Sequence, residues 1–305
     1  MTAPRPLLGI GLIVTVGFLL AAMDTTIRWL GPVLPVLLLL TTRYLVQAVV
    51  MAVWLAVDRR TGFRTAHPKF QLLRGVLLLV TSVFGFFGLQ HLPVAEFTAI
   101  NMLTPLGVTL LAALVLKEPV SRLRWALVAG GFAGALIVIR PGSGLFGWAV
   151  LFPLGCASTY AAFQTLTSRL SSLESPYTTH FWTGLTGSVI LLPLLLATVD
   201  VGPVLAAATA QQIGLLLLIG ACGTSAHLLL ILALGVAPTA TLMPFVYLQI
   251  GSAALLGWLV FGALPDFWSW VGMAVIAACG AAGAWLNVVR ARRPPTPLEL
   301  DPVAD

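Results

Sequence analysis

Residues 93–125 read PVAEFTAINMLTPLGVTLLAALVLKEPVSRLRW, and most of positions 94–116 within them are apolar. About 20 mostly apolar residues are enough to cross a bilayer as a helix, so this stretch predicts a membrane span. The pattern returns 145 residues later without a gap, since Pro93 aligns with Pro238 and Trp125 with Trp270. The stretch therefore predicts both a spanning helix and an internal repeat.

Nine further apolar stretches of similar length lie on either side of this segment. Together the ten predicted spans are 7–28, 33–57, 71–90, 94–116, 123–140, 146–169, 177–198, 211–234, 238–262 and 268–290. Most connections between them are short and carry proline or glycine, which end one helix or start the next. The predicted fold class is an all-α membrane protein with ten transmembrane helices.

The composition agrees with a membrane protein and excludes several other classes. Of 305 residues, 59% are apolar and only 9% are charged, whereas a soluble globular protein carries about 25% charged residues. So few charges cannot cover the surface of a soluble enzyme. A net charge of +6 spread over this length makes no phosphate-binding surface, so no nucleic-acid partner is expected. The three cysteines lack disulfide or zinc spacing, so no metal is expected.

Lysine and arginine positions predict the orientation of the chain. With a cytoplasmic N-terminus, thirteen of these residues fall on cytoplasmic segments, and two, Arg28 and Arg140, fall on the opposite side. Cytoplasmic loops carry the excess of positive residues in membrane proteins. We therefore expect a multi-pass protein of the cytoplasmic (inner) membrane with both termini in the cytoplasm.

The repeat divides the chain into residues 1–142 and 143–290, with five predicted helices in each half. Because five is odd, the second copy enters the membrane from the opposite side, and the two halves become inverted repeats. This arrangement is typical of secondary transporters, which bind substrate near the membrane midplane between the repeats. The remaining residues 291–305 lack an apolar period and read as a disordered cytoplasmic tail.

Several motifs in the first half have a recognisable pattern. Residues 92–106 (LPVAEFTAINMLTPL) and 111–120 (LAALVLKEPV) resemble the fourth-helix region of the EamA-like family in the drug/metabolite transporter superfamily. Residues 130–142 (GGFAGALIVIRPG) are similar to the fifth helix of that family. The resemblance implies two EamA-like units, ten helices in a 5+5 inverted arrangement, and transport of small organic solutes. The second unit departs from the pattern, because Ala263 stands where the first unit has Glu118.

Three charged side chains stand out at membrane depth, Asp24, Arg43 and Glu96, and each requires a partner or water. Asp24 and Arg28 are four residues apart and could form a structural ion pair on one helix face. Alternatively, Asp24 lines a cavity, where it receives a substrate amine or exchanges a proton. Glu96 is either a carboxylate favoured by the helix-start dipole or a second cavity group. Arg43 could bind a substrate carboxylate or phosphate, or it could pair with Asp24. Because Arg28 and Arg43 are both close enough to hold Asp24 ionised, we expect Asp24 to neutralise one of them.

Polar residues on several spans predict a substrate site near the midplane. Asn101 and Thr104 share one face of the fourth span, and the repeat aligns Thr104 with Gln249 in the ninth. The alternative is that these groups hold helices together. As a set they suit a planar or zwitterionic solute. The predicted substrate-binding residues are Asn101, Thr104, Tyr160, Gln164, Tyr247, Gln249 and Arg43, and the predicted coupling or ion-pair residues are Asp24, Arg28 and Glu96.

The sequence contains no Walker loop, nucleophile elbow or metalloprotease motif, so neither ATP hydrolysis, enzyme activity nor a cofactor is expected. The predicted function is a secondary transporter of a small organic metabolite, working as exporter, importer or exchanger by alternating access. The alternatives are a membrane-embedded enzyme and a non-transporting membrane assembly or receptor subunit. The expected partners are a small organic substrate and the lipid bilayer. Gly130 and Gly134 could serve either internal helix packing or a homodimer.

Overall fold

A computed structural model of the chain describes residues 5–58, 62–114, 121–140, 146–170, 173–236, 242 and 245–291. Within these ranges the secondary structure is helical, with no strand. The helices are α1 (Pro6–Leu30), α2 (Val36–Val57), α3 (Pro68–His91), α4 (Val94–Asn101), α5 (Thr104–Leu114), α6 (Arg122–Ile139), α7 (Leu151–Leu170), α8 (Pro176–Thr198), α9 (Val201–Ala207), α10 (Ala210–Val236), α11 (Leu248–Phe261) and α12 (Phe267–Ala291).

Nine of the ten predicted spans have counterparts in the described ranges. These nine segments are long and apolar enough to cross a membrane, which confirms an all-α, multi-pass membrane protein. The ninth predicted span, 238–262, is described mainly as α11, an apolar helix shorter than a full span. Residues 237–241, 243–244, Glu118 and the predicted tail after Ala291 lie outside the described residues. The short helix α9 occupies a segment that the sequence predicted as a connection.

The predicted fourth span is divided into α4 and α5 by a turn at Met102 and Leu103. Pro105 is the cause, because proline has no amide hydrogen to donate to the carbonyl of Asn101 one turn earlier. The Thr104 hydroxyl donates to that carbonyl instead, at 2.7 Å. The ladder resumes when the amide of Gly107 donates to the carbonyl of Leu103 at 2.9 Å. A second turn, at Tyr247, precedes α11.

Helices from the two halves of the chain pack against each other throughout the bundle. The principal pairs are α1 with α10, α2 with α8, α3 with α7, and α6 with α12. The α6–α12 pair is the closest to backbone contact: a Cβ atom on Gly272 would lie 2.6 Å from the carbonyl oxygen of Gly134. Gly130 lies against the Cys279 thiol. Both glycines of the predicted stripe therefore serve packing within one chain.

A carboxylate clip joins two connections at one end of the bundle. Oε1 of Glu174, which precedes α8, accepts hydrogen bonds from the Thr65 hydroxyl at 2.6 Å and the amides of Ala66 and His67 at 2.9 and 3.1 Å. Burial opposes ionisation of this carboxyl, but the hydrogen bonds from Thr65 and His67 outweigh it and lower its pKa. The ionised carboxylate therefore fastens the α2–α3 connection to the start of α8.

Replacing Glu174 with alanine should lower the free energy of unfolding by about 2 kcal/mol at neutral pH, because it leaves several donors without an acceptor. Since the folded pKa lies below the usual 4.5, this contribution is present above about pH 4.5 and is lost as pH falls through the lowered pKa. Melting temperatures of the purified protein between pH 7 and pH 3 should show the effect. Glu174→Gln keeps an acceptor oxygen and is the control. If the melting temperatures of wild type and Glu174→Ala changed in parallel with pH, the predicted contribution of the Glu174 carboxylate would be contradicted.

Candidate functional site

Arg43 lies in the middle of the bundle, and its side chain is almost completely buried, at 2% exposure. Nη1 donates to the Ser82 hydroxyl of α3 at 3.1 Å, and the guanidinium lies 4.7 Å from the centre of the Tyr44 ring. Nε has no hydrogen-bond partner. Gly223 of α10 makes room for this side chain, since a Cβ atom there would lie 3.2 Å from Nε. A buried guanidinium with one unused donor is therefore the centre of the site.

The charge of Arg43 acts on polar groups from five helices. They are Asp24 of α1, Tyr44 of α2, Cys156 and Tyr160 of α7, His180 of α8 and His227 of α10. We call Asp24, Arg43, Tyr160, His180 and His227 the central cluster. The structure thus brings together three of the residues predicted from the sequence, and it adds two histidines.

Asp24 is half-buried and has no hydrogen bond or ion pair with any described residue. The ion pairs in the described ranges are His67–Glu174 and Arg140–Asp266. Arg28 donates to the carbonyls of Leu89 and Leu92 at the end of α3, and it forms no pair with Asp24. The carbonyl end of a helix attracts a cation, which explains why Arg28 contacts the end of α3 rather than Asp24. Asp24 is thus left without a partner among the described residues, within the electrostatic range of Arg43.

Tyr160 and Gln164 lie one turn apart on the same face of α7. The Tyr160 ring also stacks on Phe163, with ring centres 5.6 Å apart. Both Tyr160 and Gln164 are partly exposed, although they lie among buried residues. Tyr160 therefore supplies a phenol and an aromatic surface to the central cluster, and Gln164 supplies an amide one turn away.

Arg74 is a second buried arginine, and the sequence had assigned it to the cytoplasmic face. Its Nε donates to the Thr167 hydroxyl at 2.7 Å, and Nη1 donates to the Thr179 carbonyl at 3.1 Å and the Thr183 hydroxyl at 2.5 Å. The guanidinium also lies 4.5 Å from the centre of the Phe163 ring. Arg74 is the fourth residue of the predicted span 71–90, and this position was the sequence feature that could have indicated its burial. These bonds give Arg74 a structural role beside the cluster.

The two histidines of the central cluster, His180 and His227, were not among the substrate-binding residues predicted from the sequence. The Gln47 amide donates to the His180 carbonyl at 3.0 Å and lies 3.2 Å from Nδ1 of the same residue. The rings of His180 and His227 are stacked, with centres 6.2 Å apart. No three His, Cys, Asp or Glu side chains in the described ranges converge as metal ligands would. The pair therefore adds flat aromatic surface and hydrogen-bonding groups.

Asn101 and Thr104 lie at the break between α4 and α5, beside α7. The Thr104 hydroxyl lies 3.5 Å from the carbonyl of Ala157, which adjoins Cys156 of the region around Arg43. The Asn101 side-chain oxygen is buried and has no hydrogen-bond partner. These two residues therefore border the site from the α4–α5 side.

Tyr247 packs against α12, and Gln249 packs against α1. The Tyr247 ring packs against Gly280 of α12, and the residue lines a cavity of about 70 Å³ together with Pro105 and Arg124. Gln249 packs against Gly17 of α1. The repeat aligned these positions with the α4 region, but their side chains face different neighbours from those of Asn101 and Thr104.

Glu96 belongs to a polar network at one end of the bundle. Its carboxyl lies close to Ser269, whose amide donates to Asp266 at 2.8 Å. Asp266 also forms an ion pair with Arg140 at 2.6 Å. The Ser269 amide, followed by the hydrogen bond and charge of Arg140, lowers the pKa of Asp266. The network joins the ends of α4, α6 and α12.

Comparison with known proteins identifies the family of the chain. The sequence profile of the EamA-like transporter family matches residues 7–140. A riboflavin transporter of Rhizobium johnstonii is 33% identical over 237 residues, which cover 76% of this chain and 76% of that protein. The chain belongs to the EamA-like transporter family. This EamA-like protein is therefore a transporter of a small organic metabolite and not an enzyme.

Other relatives of this EamA-like protein carry related names. A riboflavin transporter of Vibrio cholerae is 29% identical and covers 89% of this chain and 91% of its own. An S-adenosylmethionine uptake transporter of Rickettsia bellii is 24% identical and covers 81% and 82%, respectively. One solved crystal structure matches with a TM-score of 0.63 over 94% of this chain and 98% of that chain, at 19% identity. That likeness shows the fold alone.

Proposed function

We propose that this EamA-like protein transports riboflavin or a closely related flavin across the cytoplasmic membrane. The observation that carries the proposal is the central cluster, in which the buried guanidinium of Arg43 offers an unused donor beside aromatic and amide side chains. Arginine stacks on flat rings and donates to their polar edges, which suits a planar heterocycle with carbonyl groups. Relatives from three organisms, at 28–33% identity, are named riboflavin transporters, and this supports the same substrate class.

The charge of the site favours a flavin over S-adenosylmethionine. Arg43 and Arg74 are both buried, and the half-buried Asp24 is the carboxylate on which Arg43 acts. S-adenosylmethionine carries a sulfonium and an ammonium against one carboxylate, so its net charge is positive. A surplus of buried positive charge repels such a ligand, whereas riboflavin is neutral at pH 7. The site therefore matches the riboflavin relatives better than the S-adenosylmethionine relatives.

We propose ten helices in two inverted five-helix repeats, residues 1–142 and 143–290, followed by a tail, 291–305. Exchanging α1 with α7, α3 with α10, and α2 with α8 converts the α1–α10 contact into α7–α3, and α2–α10 into α8–α3, and all of these contacts exist. The breaks at Met102 and Tyr247 are also 145 residues apart. These correspondences support alternating access between two equivalent packings.

For the site, we propose that the substrate contacts are those around Arg43, together with Tyr160 and Gln164 of α7. Asn101 and Thr104 border them, while Tyr247 and Gln249 stay predictions from the repeat. Of the proposed coupling or ion-pair residues, Asp24 belongs to the cluster, and Arg28 and Glu96 belong to the end of the bundle. The positive residues support an inner-membrane protein with both termini cytoplasmic. A homodimer also stays a prediction, with α6 already using Gly130 and Gly134 internally.

The substrate is tested by uptake into proteoliposomes that contain the purified protein. We expect riboflavin to enter at least about 10-fold faster than in protein-free liposomes, because the protein replaces a polar solute's slow passage through hydrocarbon. Excess unlabelled riboflavin should compete, and excess S-adenosylmethionine should not. Uptake of labelled S-adenosylmethionine without uptake of riboflavin would refute the proposed substrate and favour the other group of relatives.

A further inference from the structure

A cavity of about 70 Å³ lies between α5, α6 and α12, and we call it the α6–α12 cavity. Most of its wall is apolar, with Leu106 from α5, Leu127 and Val128 from α6, and Ala284 from α12. Gly283 of α12 also lines it, and a Cβ atom there would meet nothing within 4 Å. The cavity therefore has open space beside a helix that lacks a side chain at that point.

The hydroxyl of Tyr247 is an unsatisfied polar group in this wall. Tyr247 lines the cavity at 6% exposure, and its hydroxyl has no hydrogen-bond partner among the described residues. Its phenol occupies the place that a Cβ atom on Gly280 would need, and Gly280 lines the same cavity. Leaving a buried hydroxyl unpaired is unfavourable unless a ligand supplies its partner. The cavity thus combines an apolar wall with a donor that a ligand could satisfy.

The residues around the cavity place it at the level of the membrane surface. It adjoins Arg124 in the first turn of α6, and this side chain is half-buried. Trp125 and Trp285, each next to a lining residue, are 42% and 61% exposed. Tryptophan is enriched at the interface between hydrocarbon and water, and arginine is enriched at its cytoplasmic side. On the proposed topology the cavity therefore lies at the headgroup level of the cytoplasmic leaflet.

The size of the cavity excludes the ring of a flavin and favours a slender ligand. Benzene fills an engineered cavity of about 150 Å³ in another protein. A space of about 70 Å³ therefore cannot hold three fused rings. What fits is a narrow chain that carries an acceptor oxygen for the Tyr247 hydroxyl.

A phospholipid carries the matching groups in the matching order. Its phosphate lies at the membrane surface, its ester carbonyl oxygens lie a few bonds deeper, and its acyl chains follow. We propose that a phospholipid binds in the α6–α12 cavity, with an ester carbonyl oxygen accepting the hydrogen bond of the Tyr247 hydroxyl. Its phosphate then lies near Arg124, and the start of one chain packs against Leu127 and Val128. This inference goes beyond the proposed function and does not depend on a flavin substrate.

The experiment compares two phosphatidylglycerols that differ only in how their chains are linked. The ester-linked lipid has the carbonyl oxygens, whereas its ether-linked analogue lacks them. Native mass spectrometry of the purified full-length protein, titrated with each lipid, gives the dissociation constant of the first bound lipid. We expect wild type to bind the ester-linked lipid about 3- to 10-fold more tightly, which is the effect of one net hydrogen bond.

Two variants separate the hydroxyl from the space beside it. Tyr247→Phe keeps the ring and removes the hydroxyl, so the ratio between the two lipids should fall close to one. Gly283→Val fills the open space, so it should weaken binding of both lipids by at least about 5-fold. Gly11→Val on α1 is the matched control and should bind both lipids as wild type does. A Cβ atom at Gly11 also meets nothing within 4 Å, and Gly11 does not line the cavity.

Several outcomes would overturn the inference. Equal binding of the two lipids by wild type is the first, and this measurement needs no variant. A ratio that persists in Tyr247→Phe, or lipid binding that Gly283→Val leaves unchanged, would place the lipid elsewhere on the protein. Glycerol 3-phosphate binding as tightly as the lipid would mean that the cavity takes a free phosphate. Displacement of the lipid by riboflavin would make the cavity part of the substrate path. Failure of riboflavin transport leaves the inference intact.

Discussion

Arg43→Met should reduce flavin transport by at least about 30-fold while leaving a folded protein in the membrane. The guanidinium is the one group whose charge acts on Asp24, Tyr160, His180 and His227 together. Methionine fills a similar volume but donates no hydrogen bond, so the substrate carbonyl would lose its donor. Removing one member of a buried charged hydrogen bond costs about 2–5 kcal/mol, which corresponds to this loss of rate.

The measurement is initial riboflavin uptake into proteoliposomes at matched protein density. Arg43→Lys keeps the charge but loses the planar donor fork, so transport should be intermediate. Arg64→Met is the matched control, since Arg64 is exposed in the connection between α2 and α3. Near-wild-type uptake by Arg43→Met, with normal melting, would show that the substrate binds elsewhere in the bundle.

Gly272→Val should destabilise the protein by about 3 kcal/mol or prevent accumulation of the folded form. A Cβ atom at Gly272 would lie 2.6 Å from the Gly134 carbonyl oxygen and 3.0 Å from the Val138 amide nitrogen. Backbone atoms cannot turn aside as a flexible side chain can, so α6 and α12 would have to separate. Forcing added carbon atoms into a packed interior costs about 1–3 kcal/mol and occasionally more.

Gly283→Val on the same helix is the control, because a Cβ atom there would meet nothing within 4 Å. Detergent-solubilised variants compared by thermal melting should show a large loss for Gly272→Val and little change for Gly283→Val. Equal melting temperatures would mean that α6 and α12 are not in close backbone contact.

Hydrophobic length was enough to predict most of the fold from the sequence. A spanning helix needs its apolar run irrespective of its neighbours, so nine stretches are recovered with ends within a few residues. The break near Thr104 is also explained locally, by the amide hydrogen that Pro105 lacks.

Partners distant in sequence could not be predicted in the same way. The spacing of Asp24 and Arg28 permits an ion pair, but it says nothing of the α3 carbonyls that Arg28 meets instead. Glu174 binds residues more than 100 positions away. Similarly, Tyr247 has an aligned position in the repeat, yet the side chain faces Gly280. Helix packing decides each of these contacts.

The clip around Glu174 is reinforced along α8, and this has a mechanical consequence. The Thr178 hydroxyl donates to the Gly62 carbonyl at 2.7 Å, and the Trp182 indole donates to the Phe63 carbonyl at 2.9 Å. With Glu174, these bonds tie the connection between α2 and α3 to one face of α8. We expect the end of α2 and the starts of α3 and α8 to move together as a single rigid body. Relative motion at this end of the bundle would then occur between that body and the remaining helices.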